Sequence, residues 1–256
     1  MVCTAVLSVE PGRPLLLAGV RDEFTDRPWQ PPGRHWPAHP DLIGGRDEQA
    51  GGSWLAVSPG ERRVSCVLNG TGTAAPPATR ISRGALPLRA AAGQPLARAE
   101  LADTDPFWLL TADSGGALVQ RWDGRELTDR VLPPGLHLIV NSGLLTVDGA
   151  AAGLPGDSRP QERARVGHFA ARFAEAIRPV PGPDGGAAGA WGEWLPLVDG
   201  DGLGPDDERA LIVRRVLEDG RTWGTTSMSL VALADDWLRY DFCAVPGDPA
   251  AWRRVC

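Results

Sequence analysis

The stretch Leu15–Pro32, LLLAGVRDEFTDRPWQPP, passes from an apolar segment straight into Arg21, Asp22 and Glu23, and then into a loop rich in Trp and Pro. Upstream, Cys3–Val9 (CTAVLSV) is a second apolar run, separated from the first by EPGRP. Pro and Gly so placed mark a tight turn, so the runs read as a hairpin with strands over Cys3–Val9 and Leu15–Val20. Centred on Gly12, that hairpin sets Cys3 opposite Arg21, and facing residues of an antiparallel pair have Cβ atoms about 5 Å apart. An Arg beside a Cys lowers the thiol pKa by stabilising the thiolate. Asp22 either orients and neutralises that Arg or faces the other way. Three charges at the end of a buried strand are expected where that end opens into a pocket; a solvated strand end with a surface ion pair is the alternative. A slip of one residue would carry Arg21 to the other face.

Outward from this hairpin the chain reads as short strands broken by turn signals. Phe24–Gly52 is expected to be a long loop, with Pro28, Pro31, Pro32, Pro37 and Pro40. Strands fit SWLAV, VSCVLN, FWLLTA, ALVQRW and LHLIVN, then WGTTSMSLVAL and WLRYDFCAV, with separators such as SPGERR, TADSGG and WDGREL. Alternating hairpins of this kind predict antiparallel sheets. Arg83–Leu101 has a helical pattern interrupted by Pro87, Gly93 and Pro95. Gln161–Ile177 is the clearest helix, with Val166, Phe169, Ala170, Phe173, Ala174 and Ile177 on one stripe between Pro160 and Pro179. Pro179–Glu208, rich in Gly, Pro and Asp, is expected to be an exposed excursion from a single domain spanning 1–256.

Composition narrows the function classes. The chain has 256 residues, 43% hydrophobic and 23% charged, enough for one large domain. Its net charge of −6 argues against nucleic-acid and anionic-membrane partners, which need a basic face. No apolar run reaches the roughly 20 residues that span a bilayer. MVCTAVLSVEPG has no basic n-region or cleavage motif, so a cytoplasmic protein with reduced cysteines is expected. Every basic residue is Arg, which excludes Schiff-base Lys chemistry and a Lys-bearing phosphate loop. Cys66 and Cys243 read as buried strand residues and Cys256 as incidental; with no C-x-x-C pair, neither a metal site nor a resident cofactor is expected. The acidic run Val198–Glu208 lacks the spacing of a calcium loop and reads as a solvated turn.

The stretch AGVRDEFTDRP resembles the signature AANRDEFYDRP of the NRDE family, the transport and Golgi organisation protein two homologues. Further segments agree in order: Cys3-Thr4 before an apolar strand, GGRD followed by GGSWLAV over Gly44–Val57, and VLNG with Asn69. ISRG at Ile81–Gly84, PPGLHLIVNSGLL with Asn141, and WGTTSMSLVAL continue the agreement. The family is similar to N-terminal-nucleophile hydrolases. The resemblance therefore implies an α+β fold, a four-layer αββα sandwich of two stacked, mainly antiparallel sheets. It also implies cysteine amidase chemistry on a small amide substrate, with Cys3, Arg21, Asp22, Asn69 and Asn141 at the catalytic positions. A thiolate attacks the carbonyl, the α-amine moves the proton, and Asn N–H groups receive the oxyanion. By the residues alone, Asn69 and Asn141 equally read as strand-end turn residues.

Three departures bear on that expectation. Val20 stands where the signature has Asn, Thr226 stands where the late strand of the family has Arg, and Met1-Val2 precede Cys3. The alternative function is a carrier for haem or an acyl, lipid-like ligand, since the family is linked to haem handling and lipid metabolism. The loop GRHWPAHPD, with His35 and His39 around Trp36, is its local support. Trp29, Trp36 and Trp54 are expected to line a pocket or pack the long loop, with Thr226 facing substrate.

Overall fold

The computed structural model describes residues 4–147, 154 and 158–256. In chain order the first strands are β1 (Thr4–Val9), β2 (Leu15–Phe24), β3 (Trp29–Gly33), β4 (Ile43–Asp47), β5 (Leu55–Ser58) and β6 (Arg63–Asn69). Helix α1 (Ala85–Ala91) precedes β7 (Phe107–Asp113), β8 (Gly116–Trp122), β9 (Leu127–Val131), β10 (Gly135–Val140) and β11 (Gly143–Val147). Three helices follow, α2 (Pro160–Glu175), α3 (Ala187–Trp191) and α4 (Trp194–Val198). The chain closes with β12 (Arg214–Val216), β13 (Thr222–Leu233), β14 (Leu238–Cys243) and β15 (Trp252–Arg254).

These elements fall into two compact units. One takes the chain to Arg27, Pro134–Ala232 and Leu238–Cys256; the other takes Pro28–Pro133 and Leu233–Trp237. Among the described residues the first holds an eight-stranded sheet, ordered β11-β10-β1-β2-β13-β14-β15 with β12 on β13. The second holds a seven-stranded meander, β3 through β9 in sequence order. β1 pairs antiparallel with both β2 and β10, and successive strands of the meander pair antiparallel throughout. The fold class is therefore α+β with two antiparallel sheets, as the turn pattern implies. The β1–β2 register is also the expected one, with Thr4 facing Val20, Ala5 facing Gly19 and Ser8 facing Leu16. Gly12, at φ +73°, makes the turn.

Three expectations are corrected. Phe24–Gly52 contains β3 and β4 rather than loop alone. β3 is an edge strand of the meander, where Pro31 and Pro32 need donate no ladder hydrogen bond, and its register shifts between Gln30 and Gly33. β2 runs on past Val20 to Phe24, because β13 pairs alongside: the Thr25 amide donates to the Thr222 carbonyl at 2.9 Å. Residues 179–208 are not an exposed excursion. They carry α3 and α4, and bury Trp191, Trp194, Leu197 and Val198. The tie is polar. Arg239, fully buried, donates to the carbonyls of Gly182, Asp184 and Gly185 and to Asp241, which also accepts from the Trp191 indole at 2.7 Å. Gly- and Pro-rich composition hides such a segment, because its core contacts come from two Trp and a distant strand.

Helix α2 buries Val166, Phe169, Ala170 and Phe173, but ends before Ile177, which is 73% exposed. The buried stripe also includes Glu162 and Arg165. In the acidic run, Asp199 accepts from the Trp252 indole at 3.0 Å, and Asp201 takes two bonds from Arg172 and one contact from His168 at 2.8 Å. Asp199 and Asp201 thus tether the C-terminal strand and α2, while most of Gly202–Glu208 is exposed, as a solvated turn is.

The glycines of GGRD…GGSW and SRG have steric causes. A Cβ on Gly45 would stand 2.2 Å from the Trp54 indole, and one on Gly52 would stand 2.4 Å from the Gly84 backbone. Overpacking of this kind costs about 1–3 kcal/mol. Gly45→Ala should lower stability by that amount in urea titrations. Trp54→Leu should remove most of the added cost in the double variant, whereas additive losses would show that the indole is not the obstacle.

Arg172 and His168 hold the Asp201 carboxyl below the usual carboxylate range. A depressed pKa stabilises the fold above the unfolded-state value near 3.9, and that contribution is lost as pH falls through the folded-state pKa. Asp201, at φ +52°, tolerates Asn, which also enters the left-handed region. Asp201→Asn should therefore cost about 1 kcal/mol at pH 7. The difference from wild type should vanish as the acid limb is followed below pH ~4.

Candidate functional site

The three charges of the opening stretch lie within β2, and strand alternation divides them between the faces of the first unit's sheet. Arg21 and Asp22 are both buried, at 6% and 2% exposure. Arg21 donates through Nη1 to the Thr226 hydroxyl at 2.8 Å on neighbouring β13, and its Nη2 stands 4.0 Å from Glu23. Thr226, where the family pattern has Arg, here accepts from the Arg21 guanidinium.

Asp22 belongs to the opposite face. The Thr225 hydroxyl donates to its Oδ1 at 2.7 Å, and Arg165 of α2 approaches its Oδ2 at 3.4 Å. The same guanidinium nitrogen of Arg165 donates to the Thr4 hydroxyl at 3.2 Å. Thr4 faces Val20, two residues from Asp22, so both lie on the helix side of the sheet. Burial pushes the Asp22 carboxyl above its ordinary range, and the Arg165 charge and the Thr225 hydrogen bond oppose that rise. The two residues adjacent in sequence therefore serve different surroundings.

Among the other expected site residues, Cys3 lies outside the described residues. Asn141 is buried just past the end of β10 in the same unit. In the second unit, Asn69 ends β6 opposite Phe107. There Trp29 and Trp54 meet edge to face with centroids 5.8 Å apart, and Trp36 donates to the Gly51 carbonyl at 2.8 Å. Trp29 and Trp54 thus pack against each other, and Trp36 ties to the segment that leads into β5. In the GRHWPAHPD loop, His35 Nε2 contacts the Pro31 carbonyl at 2.9 Å, which engages that nitrogen within the loop. Cys66 and Cys243 are buried, and burial pushes the Cys243 thiol up to about 11, which keeps it protonated. Among the described residues no cluster of His, Cys, Asp and Glu has the makings of a metal site. No helix among them is long and apolar enough to cross a membrane.

Arg165 and Thr225 escape a reading by motif. The signal for Arg165 was present: it falls one position before Val166 on the apolar stripe, where a charged residue requires a buried partner. Thr225 adjoins Thr226 and points the other way along β13.

An α+β protein that sets a buried Arg and a buried Asp on opposite faces of one strand is the class these observations define. The family model for transport and Golgi organisation 2 matches residues 2–175, more than half of the chain, and the chain belongs to that family. The matched range covers β1 through α2, so Arg21, Asp22 and Arg165 lie within it and Thr225 and Thr226 beyond it. No curated protein matches the chain.

Breaking a buried ion pair by removing one partner leaves an uncompensated charge and costs about 3–5 kcal/mol. Asp22→Asn should lose stability on that scale in chemical denaturation, with Arg165 left charged beneath α2. Asp22→Leu combined with Arg165→Met should cost much less than the sum of the single changes. A double-mutant cycle that closes without coupling would show that the two groups do not depend on each other.

Proposed function

We propose that the chain is a cysteine amidase of the N-terminal-nucleophile type, acting on a small amide through Cys3 with Arg21 beside it. The observation that supports this reading is the β1–β2 register. Thr4 faces Val20 and shares Arg165 with Asp22, so Arg21, the residue between, belongs to the other face; Cys3 lies outside the described residues, and the proposal sets it across from Arg21. A guanidinium beside a Cys favours the thiolate. The thiolate attacks the amide carbonyl carbon, and the C–N bond breaks as the leaving amine takes up a proton. Water then cleaves the thioester, releasing the acid and restoring the thiol. Exposure of the Cys3 α-amine by processing supplies the base for both steps, with an unperturbed pKa near 8. Asn141, buried at the end of β10 beside β1, is assigned as an oxyanion donor.

A carrier function is the second reading, for haem or an acyl, lipid-like ligand. Two observations favour it: Val20 is buried where the family signature has a polar Asn, and Thr226 supplies a hydroxyl to Arg21 where the family has a cation.

Alkylation of Cys3 by iodoacetamide, followed by intact mass, separates the two. The amidase reading expects a chain that begins at Cys3 and a thiol that titrates below 7. Arg21→Ala should return that midpoint to about 8.5 and slow alkylation at pH 7 by tenfold or more. An ordinary thiol midpoint, unmoved by Arg21→Ala, would sink the amidase reading. A Soret change that saturates at stoichiometric haemin would then establish haem as the cargo.

A further inference from the structure

On the helix side of the first unit's sheet, away from Arg21, a cleft of about 140 Å³ opens between the start of α2 and the β12 edge. Its polar lining is Asp22, Arg159, Gln161, Arg165 and Arg215, and its apolar wall is Val213, Leu217 and Trp223. We propose that this cleft is a binding site for a small oxyanion, a phosphate or carboxylate group, held by Arg159, Arg165 and Arg215. It does not depend on the cysteine chemistry proposed above.

Charge carries the argument. The chain is acidic overall, at −6, yet among the described residues three guanidiniums line this cleft against one carboxylate. That carboxylate is already engaged, by Thr225 at 2.7 Å and by Arg165 at 3.4 Å. Most arginines elsewhere sit against an acid or a carbonyl, as Arg172 does on Asp201 and Arg221 on Asp26. Arg159 and Arg215 have no side-chain partner among the described residues. They approach from two separate elements, the residue before α2 and the strand β12.

The surroundings strengthen the field. Trp223 is buried and Val213 is buried, so one wall excludes water and lowers the local dielectric. Arg159 occupies the N-cap of α2, has no acceptor to offer the first-turn amides, and makes no side-chain cap hydrogen bond. Pro160 follows at the first position, which leaves the amides of Gln161 and Glu162 facing the same end of the helix. An anion here meets three guanidiniums and the positive end of a 16-residue helix, whose first turn also carries the buried Glu162.

Size limits the ligand. A volume of 140 Å³ is well below the roughly 300 Å³ at which drug-sized sites begin. One tetrahedral phosphate or one carboxylate fits inside, with any larger body left in solvent.

The contact between Arg165 and Asp22, at 3.4 Å, is longer than the usual 2.7–2.9 Å of a charge-assisted bond. An anion in the cleft would compete with Asp22 for this guanidinium. Occupancy would thus be felt at β2, one residue from Arg21.

Thermal unfolding and calorimetric titration with inorganic phosphate and with acetate test the site, each against chloride at matched ionic strength. Arg159 and Arg215 are exposed, so Arg159→Ala, Arg215→Ala and the double variant should fold, as circular dichroism will check. A saturable rise in Tm with phosphate alone, weakened tenfold or more in the double variant, supports the site and makes its ligand a phosphate group. The same pattern with acetate alone supports it with a carboxylate ligand. No saturable response, or a response that the double variant retains, overturns the proposal.

Discussion

A carboxylate with no exposed side-chain surface must be paired, and Asp22 is such a group. Its partner comes from a helix more than a hundred residues further along the chain. The Arg165 guanidinium therefore ties β2, β1 and α2 together at one point, through Asp22 and Thr4. The apolar stripe of α2 supplies the larger share of the burial, but hydrophobic contact is non-directional. A paired charge can be satisfied only in one rotation and at one height of the helix. The polar pair gives α2 its register on the sheet, while Phe169 and Phe173 give it adhesion.

The hairpin, the antiparallel plan and the principal helix were legible in the sequence because each is written in local signals. Pro and Gly between apolar runs mark the β1–β2 turn, and a three-and-four stripe marks α2. What stayed illegible is set by partners far along the chain. β2 outruns its apolar segment because β13 lies beside it, two hundred residues away, and gives Arg21 a hydroxyl. The segment 179–208 looked solvated because Gly, Pro and Asp dominate it. Its burial is decided by Trp191, Trp194 and the carbonyls that Arg239 collects. Proline content likewise concealed β3, since an edge strand tolerates what a central strand cannot.

The candidate site was legible in part. Arg21, Asp22, Thr226 and Asn141 were named from the motif, and the structure brings Arg21 and Thr226 into contact. Periodicity alone could not tell that Asp22 serves the helix side, because alternation fixes that neighbours differ but not which face is which. The residue that settles it, Arg165, sits in a helix whose apolar pattern drew attention to Val166 and its neighbours instead.

The family signature can now be divided by cause. Gly45 lies beneath Trp54, and Gly52 against Gly84, so the GGRD, GGSW and SRG segments include positions where any side chain would collide. Those residues say how the meander packs and nothing about chemistry. Arg21 and Asp22 are different, because no packing need is met by burying two charges side by side on one strand. Burial of each costs several kcal/mol before pairing, so an apolar pair would hold β2 more cheaply. A strand that keeps both, with one charge on each face, separates two electrostatic environments by the thickness of a single sheet. Arg21 places positive charge on the face away from α2, where the Thr226 hydroxyl meets it. Asp22, by holding Arg165, governs the charge of the cleft on the other. Without Arg165, Asp22 would be left a buried, uncompensated carboxylate one residue from Arg21, so the balance of charge along β2 rests on a helix far along the chain.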